Sequence, residues 1–433
     1  MAVHHHSAGP LETDPRLAAV YAARAEQARR TARGTSAWTR EDDEHALERV
    51  PLRIPELLLG ALLAMEVFAI PVGGMRIPLN ELAMMLLLLL ALCRRATRDA
   101  SALGVAALAA GAVALFLAVV SVSVGIEDLA WMRRLVRISA LAVLVGCFAA
   151  RRLDLRSVLW GLLAAMAVNV PLFYAGVVPA PYGSYLTGFL GDKNVAGLYY
   201  AAMPVLAVAF VRSPQRRVMV LAAAAPCVFL TGSRTSMAGF ACAVLWMWLT
   251  PRLGPVFRIL ILAAMGWAVT FAEENLAQLS VFGDRTGTDR LRSWIQDATA
   301  VKAAETPWFG RGLTEAYVTI DDATWHYHNS YAGLFTEGGY VLVIAVLAAY
   351  LYFGLRVFTT RLRTPSRVAV EAATAVIFVT AAQLGEVFLT IPGMLILATG
   401  ASLALQEKDA PLETEVTERQ RAKVLHDARA RWG

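Results

Sequence analysis

The chain has 433 residues, of which 57% are hydrophobic and 17% charged, and its mean hydropathy is +0.53. This composition excludes an ordinary water-soluble globular protein of that length, so we expect a membrane protein. The net charge of +6 does not indicate nucleic-acid binding, because the arginines are spread over short loops between apolar stretches, as orientation signals are.

Residues 1–50 are polar and include several arginines without an apolar central region. This pattern is not that of a secretory signal peptide, so we expect a cytoplasmic, disordered segment. The short histidine run at 4–6 is better explained as part of a mobile tail than as a metal site.

Apolar runs between residues 51 and 406 predict about twelve transmembrane helices, since a span needs about 20 mostly apolar residues. The runs start near positions 55, 77, 102, 132, 156, 193, 216, 234, 255, 332, 367 and 388. Alternate loops between them are rich in arginine, which predicts that both termini are cytoplasmic. The tail 407–433 belongs to that side, and the predicted fold class is an all-α polytopic membrane protein.

The opposite side carries one long connection, residues 273–328. Apolar side chains recur at helical spacing over residues 291–298, behind a candidate cap at Asp289. We therefore expect an amphipathic helix along the membrane surface, or one that simply covers the bundle.

Three arginines fall within the first turns of the fourth predicted span: Arg133, Arg134 and Arg137. Their spacing allows them to share one helical face, where their mutual repulsion calls for an anion. The anion is either a substrate or, as plain salt bridges, the nearby carboxylates Glu127 and Asp128.

Arg234 stands at the start of the eighth predicted span, directly after Ser233. An arginine is unfavourable at a positively polarised helix N-terminus unless an anion lies there as well, so the position suits a phosphate. The alternatives are that Ser233 caps the helix and that the arginine merely extends to water. Lys193 beside Asn194, and Arg290 with Arg292, add cations on the same side.

His326, His328 and Asn329 end the long connection. A histidine there exchanges a proton near neutral pH and the amide can bind sugar hydroxyls, whereas the surrounding aromatic rings also suit a membrane interface. No carboxylate or thiolate stands at metal-ligand spacing, so we predict no metal. For Glu66 and Glu386, both within predicted spans, function and an interhelical hydrogen bond are both open.

Four segments carry a joint pattern: residues 188–196, residues 232–235, residues 290–294 leading to 307–312, and residues 328–331 with 337–339. In this order they resemble the bacterial O-antigen ligase and O-antigen polymerase superfamily of membrane glycosyltransferases. Each segment is weakly specific by itself, but their order over about 150 residues of this chain, inside a twelve-helix arrangement, makes the joint resemblance fairly specific.

The resemblance implies a GT-C-like fold and a metal-independent, inverting transfer of an oligosaccharide from undecaprenyl diphosphate to an acceptor hydroxyl. The reaction would take place at the outer face of the bacterial inner membrane, without a cofactor, on a glycan or lipid-glycan acceptor among membrane lipids. The resemblance assigns the catalytic roles to Arg234, Arg290 and His328. The other predicted substrate-binding residues are Arg133, Arg137, Lys193, Asn194, Arg292 and Asn329.

Two further questions stay open in the sequence. A polymerase and a ligase differ only in acceptor, and we favour a polymerase of a surface polysaccharide. A flippase or another transporter shares the hydrophobicity, but it should show interrupted helices paired between two similar halves and a site near the midplane.

Overall fold

The computed structural model describes residues 51–72, 75–126, 129–276, 286–357 and 363–407. The predicted cytoplasmic segment 1–50 and almost all of the predicted tail 407–433 lie outside these ranges.

Apolar α-helices make up most of the described chain, and two short antiparallel hairpins interrupt them. The helices are α1 Ile54–Leu62, α2 Leu79–Leu92, α3 Gly104–Ser123, α4 Ala130–Ala149, α5 Leu155–Tyr174, α6 Lys193–Ala207, α7 Pro214–Leu230, α8 Arg234–Leu249, α9 Pro255–Leu276, α10 Thr286–Ala304, α11 Ser330–Ala349, α12 Pro365–Ala381 and α13 Ile391–Glu407. The strands are β1 Ala69–Val72, β2 Met75–Pro78, β3 Tyr317–Ile320 and β4 Ala323–His326.

A helix begins within a few residues of each predicted span start. The largest offset is at the predicted start near 388, where α13 begins at Ile391. By length and composition, four described helices are able to cross a membrane: Ser101–Ser123, Leu155–Tyr174, Lys193–Phe210 and Ser330–Gly354. The structure therefore has the helices of a membrane protein, but the count of twelve spans is not confirmed.

The first predicted span differs most from its prediction, because α1 has only nine residues. At about 1.5 Å per residue it covers less than half of the apolar core of a bilayer. Gly60 of α1 faces the backbone at Val158, and Gly161 of α5 faces the backbone at Leu57. A Cβ atom at either glycine would overlap the other helix, so these positions allow α1 and α5 to pack backbone to backbone.

Arginines of the predicted cytoplasmic loops meet at one end of the bundle, which we call the arginine-rich end. Arg94 pairs with the buried Glu56, and Arg98 donates to the Ser402 carbonyl. Arg367 pairs with Glu407 at 2.9 Å. These contacts bring both termini of the described bundle to one end, in agreement with the alternating helix directions that the basic loops predict.

The opposite end carries α10, the β3–β4 hairpin and the residues up to α11, and we call it the loop end. The predicted amphipathic helix is present as α10. Its Ile295 is buried against Val318 and Tyr327, whereas Trp294 is 45% exposed. The helix therefore uses its apolar face to hold the hairpin and the His328 segment.

The helix α11 is broken inside its apolar stretch. Gly338 and Gly339 have non-helical backbone angles, and φ is +58° at Gly339. The loop before the hairpin fills the break, because the Tyr340 N–H donates to the Trp308 carbonyl at 2.9 Å and the Gly312 N–H donates to the Glu337 carbonyl at 3.1 Å. The polar backbone groups freed by the break are thus satisfied by protein, as membrane-buried backbone requires.

Candidate functional site

The N-terminus of α6 builds one wall of a polar site at the loop end. Asp192 caps the helix, accepting hydrogen bonds from the N–H groups of Asn194 at 2.7 Å and Val195 at 3.1 Å. The Tyr182 hydroxyl donates to the same carboxylate at 2.5 Å, and this bond raises the pKa of Tyr182 to about 12. Lys193 lies over the Tyr182 ring, 5.7 Å from its centre. The two predicted residues Lys193 and Asn194 therefore begin a rigid helix beside aromatic rings.

The N-terminus of α8 lies beside that of α6. Ser233 takes the cap position, but its hydroxyl donates to Asn194 Oδ1 at 3.4 Å and pairs with Ser236 Oγ at 2.9 Å instead of capping the backbone. Gly232 has φ of +65°, which places the turn against the Tyr185 ring. Arg234 is the first residue of α8. Two helix N-termini thus meet at the position where the sequence predicts an anion.

His328 lies between β4 and the start of α11. The next residue, Asn329, caps α11 by accepting from the N–H groups of Tyr331 at 3.0 Å and Ala332 at 3.1 Å. Ser330 Oγ contacts the Leu384 and Gly385 carbonyls, each at 2.8 Å. The cap uses the side-chain oxygen of Asn329, so only its amide nitrogen suits a substrate hydroxyl, and its assignment stays a prediction.

His328 lies close to Arg292 and Asp192, whose charges act on its pKa. Burial lowers the pKa of His328, the positive charge of Arg292 lowers it further, and the carboxylate of Asp192 opposes the shift. Arg292 is held by a 2.7 Å hydrogen bond from its Nη2 to the Gln383 carbonyl. The imidazole is therefore neutral at pH 7, which is the form that accepts a proton.

Arg290 lies in the first turns of α10, two residues before Arg292. Its side chain is outside the described part of the structure, so its predicted role is untested. Of the other predicted residues, the structure gathers six at the loop end: Lys193, Asn194, Arg234, Arg292, His328 and Asn329.

The arginines of α4 belong to a neighbouring network of ion pairs. Arg133 Nη2 contacts Glu81 at 2.8 Å, and Arg137 Nη2 contacts Glu386 at 2.5 Å. Arg134 lies between them and bridges Glu337 at 2.7 Å and Glu386 at 3.0 Å. These contacts favour the salt-bridge alternative for Arg133 and Arg137, and their assignment to substrate binding stays a prediction.

The carboxylates that pair with these arginines are not the ones that the sequence suggests as their partners. Glu127 and Asp128 lie outside the described residues, and Glu81, Glu337 and Glu386 take the role instead. The intramembrane position of Glu386 indicated that this carboxylate needs a partner. Nothing in the sequence connects Glu81 or Glu337 with the arginines of α4. Within the described ranges, no group of three or more His, Cys, Asp or Glu residues is arranged to hold a metal ion; the predicted metal independence is not tested by this.

Apolar helices around a polar site at one end define a multi-pass membrane protein. Residues 218–347 match the family model described as O-antigen ligase, which confirms the resemblance to the O-antigen ligase and O-antigen polymerase superfamily. The match runs from α7 into α11 and includes Arg234, Arg290, Arg292 and His328. No curated protein sequence matches the chain.

Proposed function

We propose that the chain transfers or polymerises an oligosaccharide from undecaprenyl diphosphate to an acceptor sugar hydroxyl at the outer face of the bacterial inner membrane. The loop end would face outward, and both termini would be cytoplasmic. The observation that supports this proposal best is the meeting of the α6 and α8 N-termini, marked by the 3.4 Å contact between Ser233 and Asn194, at the end of the bundle that also carries His328.

The diphosphate is the leaving group in this reaction, and it needs charge neutralisation more than a strong acid. Two helix N-termini and the guanidinium of Arg234 supply positive charge at fixed positions. Arg292 adds a second guanidinium on α10, and Arg290 is proposed to act with it. Because arginine stays protonated at any working pH, the site keeps its charge through the reaction.

His328 is proposed to orient or deprotonate the acceptor hydroxyl. The hydroxyl oxygen attacks the anomeric carbon from the side opposite the diphosphate, and its proton passes to the imidazole. The bond from the anomeric carbon to the phosphate oxygen breaks, its electron pair leaves with undecaprenyl diphosphate, and the configuration inverts. The lowered pKa of His328 supports this role, since only a neutral imidazole accepts the proton.

The test is a transfer assay on the purified chain in lipid nanodiscs, with undecaprenyl-diphosphate-linked oligosaccharide from the native cell. We expect His328→Ala and Arg234→Ala to abolish transfer while both variants insert and fold. Full activity in either variant removes that residue from the mechanism. In a deletion strain, single repeat units on the acceptor indicate a lost polymerase, and polymer left on the carrier lipid indicates a lost ligase.

A carrier-lipid flippase is the second candidate, and the break in α11 at Gly338 and Gly339 is the observation in its favour, since transporters use broken helices. The site proposed above lies at one end of the helices, however, and not midway along them. Proteoliposomes discriminate between the two functions, because a flippase moves the lipid-linked glycan between leaflets without forming a new glycosidic bond.

A further inference from the structure

Two cavities adjoin beneath the loop end, beside the site proposed for the diphosphate. The first has a volume of about 330 Å³, and the second about 200 Å³. Glu386 and Leu389 line both of them. The first is already in the size range of small-molecule sites, so the pair offers room for a sugar ring but not for a whole repeat unit.

Carboxylates outnumber cations in the walls of these cavities. The carboxylate, arginine and histidine side chains in the two linings are Arg134, His326, Glu337 and Glu386 in the first, and Glu66, Glu81, Arg137 and Glu386 in the second. The lining therefore offers no surplus of positive charge to a diphosphate, which favours an uncharged ligand. Carboxylates accept hydrogen bonds from hydroxyl groups and guanidinium groups donate them, which is the mixture that a polyhydroxylated ring requires.

Two polar atoms of the network have no hydrogen-bond partner within the described part of the chain: Glu386 Oε1 and Arg134 Nε. A buried polar atom without a partner is costly, and the Glu386 side chain, which is 32% exposed, can turn Oε1 toward a ligand in the cavity. Phe388 and Leu389 add an apolar surface to the first cavity, against which the carbon face of a sugar ring can pack.

The chain segment between α12 and α13 separates this region from the cationic site. The Gln383 carbonyl accepts from Arg292 on one side, while Glu386 binds Arg134 and Arg137 on the other. His326 also lines the first cavity, and its charge acts on the neighbouring His328. A sugar in the cavities would thus lie next to the proposed proton acceptor, and the 383–386 segment would separate it from Arg292 of the proposed diphosphate site.

From this arrangement we infer that the two cavities form one chamber that binds an uncharged sugar ring of the acceptor glycan, with Glu386 as its central hydrogen-bond acceptor. The inference rests on the proposed function, because only a transfer reaction has an acceptor glycan. In this proposal the intramembrane carboxylates bind the acceptor, whereas the cations of the other site bind the diphosphate.

The experiment measures two quantities on each variant in nanodiscs. One is the binding of undecaprenyl diphosphate, by native mass spectrometry; the other is the dependence of transfer on acceptor concentration. The acceptor probe is the oligosaccharide released by mild acid from the native surface polysaccharide. The variant Glu386→Gln keeps the size of the side chain, and Glu305→Gln, at a carboxylate directly after α10 that is 68% exposed, is its matched control.

We expect Glu386→Gln to raise the KM for the acceptor about tenfold or more, as the loss of a charge-assisted hydrogen bond does, and to leave carrier binding unchanged. Glu305→Gln should change neither quantity. An unchanged acceptor KM in Glu386→Gln, or an equal weakening of carrier binding, overturns the chamber.

If Glu386→Gln fails to fold, Leu389→Trp replaces it. This variant fills part of both cavities, which Leu389 lines, and is expected to raise the acceptor KM, while an unchanged KM counts against the chamber. If the wild-type chain binds the carrier but transfers nothing to any acceptor, the proposed function fails instead, and the two failures are therefore distinct.

Discussion

Arg134 on α4 donates a 2.7 Å hydrogen bond from its Nη2 to the carboxylate of Glu337 on α11. Glu337 stands directly before the glycine break of α11, and its second oxygen accepts from the Thr314 N–H at 3.1 Å. One buried ion pair therefore joins α4, the broken helix and the loop that fills the break.

The first prediction concerns the stability supplied by this pair. Arg134→Ala leaves the buried carboxylate of Glu337 without its cation, and we expect the free energy of unfolding to fall by about 3–5 kcal/mol. Arg133, whose side chain is 57% exposed, is the matched control: Arg133→Ala should cost at most about 1 kcal/mol. Denaturant titration in mixed micelles measures both, and equal losses in the two variants would contradict the structure.

The second prediction tests the break in α11. At Gly339 a Cβ atom would overlap the Trp308 carbonyl oxygen, and φ is +58°, so Gly339→Ala should cost more than about 4 kcal/mol. On the same helix, a Cβ atom at Gly333 would meet only Ala316, at 3.7 Å. Gly333→Ala should therefore change stability by no more than about 1 kcal/mol. Size-exclusion profiles of the solubilised variants, before and after heating, discriminate; a monodisperse, heat-stable Gly339→Ala would show that the loop does not fill the break.

The third prediction concerns pH. Burial and Arg292 lower the pKa of His328, so the imidazole stays neutral to a pH below its ordinary titration range, and transfer should be lost only as the pH falls through that lowered pKa. Asp192 raises the pKa of His328. Asp192→Asn keeps a good helix cap and should move the acid limb of the pH–rate profile to lower pH, whereas Arg292→Gln should move it to higher pH. If the acid limbs of the wild type, Asp192→Asn and Arg292→Gln coincide, His328 is not the group that accepts the proton.

The fourth prediction concerns the grip on the carrier lipid. Arg234→Lys keeps the charge but loses the two-pronged guanidinium, so undecaprenyl diphosphate should bind about tenfold more weakly. Arg216, exposed at the opposite end of α7, offers a control of the same residue type. Arg216→Ala should bind the carrier as the wild type does. Native mass spectrometry measures carrier binding by the wild type and both variants. Weaker binding by Arg216→Ala together with unchanged binding by Arg234→Lys would place the diphosphate at the arginine-rich end and contradict the proposal.

The sequence predicted the helices well because hydrophobic length is a local property. The same holds for α10, whose apolar spacing is visible in a few residues. The break in α11 at Gly338 and Gly339 was not predicted, because glycine is common in membrane helices. Only the loop that contacts these two residues makes the break favourable. The two β-hairpins, four residues to a strand, were likewise too short to leave a periodic signal.

For the candidate site, sequence reasoning selected residues at helix starts, where position alone restricts the chemistry. Lys193, Asn194 and Arg234 were identifiable in this way. Partners were harder, since an ion pair such as Arg134 with Glu337 joins residues that only the fold brings together. The fold also pairs Arg133 with Glu81 and Arg137 with Glu386, contacts that the sequence does not show.

The shortness of α1 bears on how the chain is made. A helix of nine residues is too short for a bilayer to retain by itself, and α1 is fastened by the Gly60 and Gly161 contacts to α5, which leaves the ribosome much later. We therefore expect the N-terminal part of the nascent protein to wait at the translocon, and to reach its final position only once α5 has been synthesised.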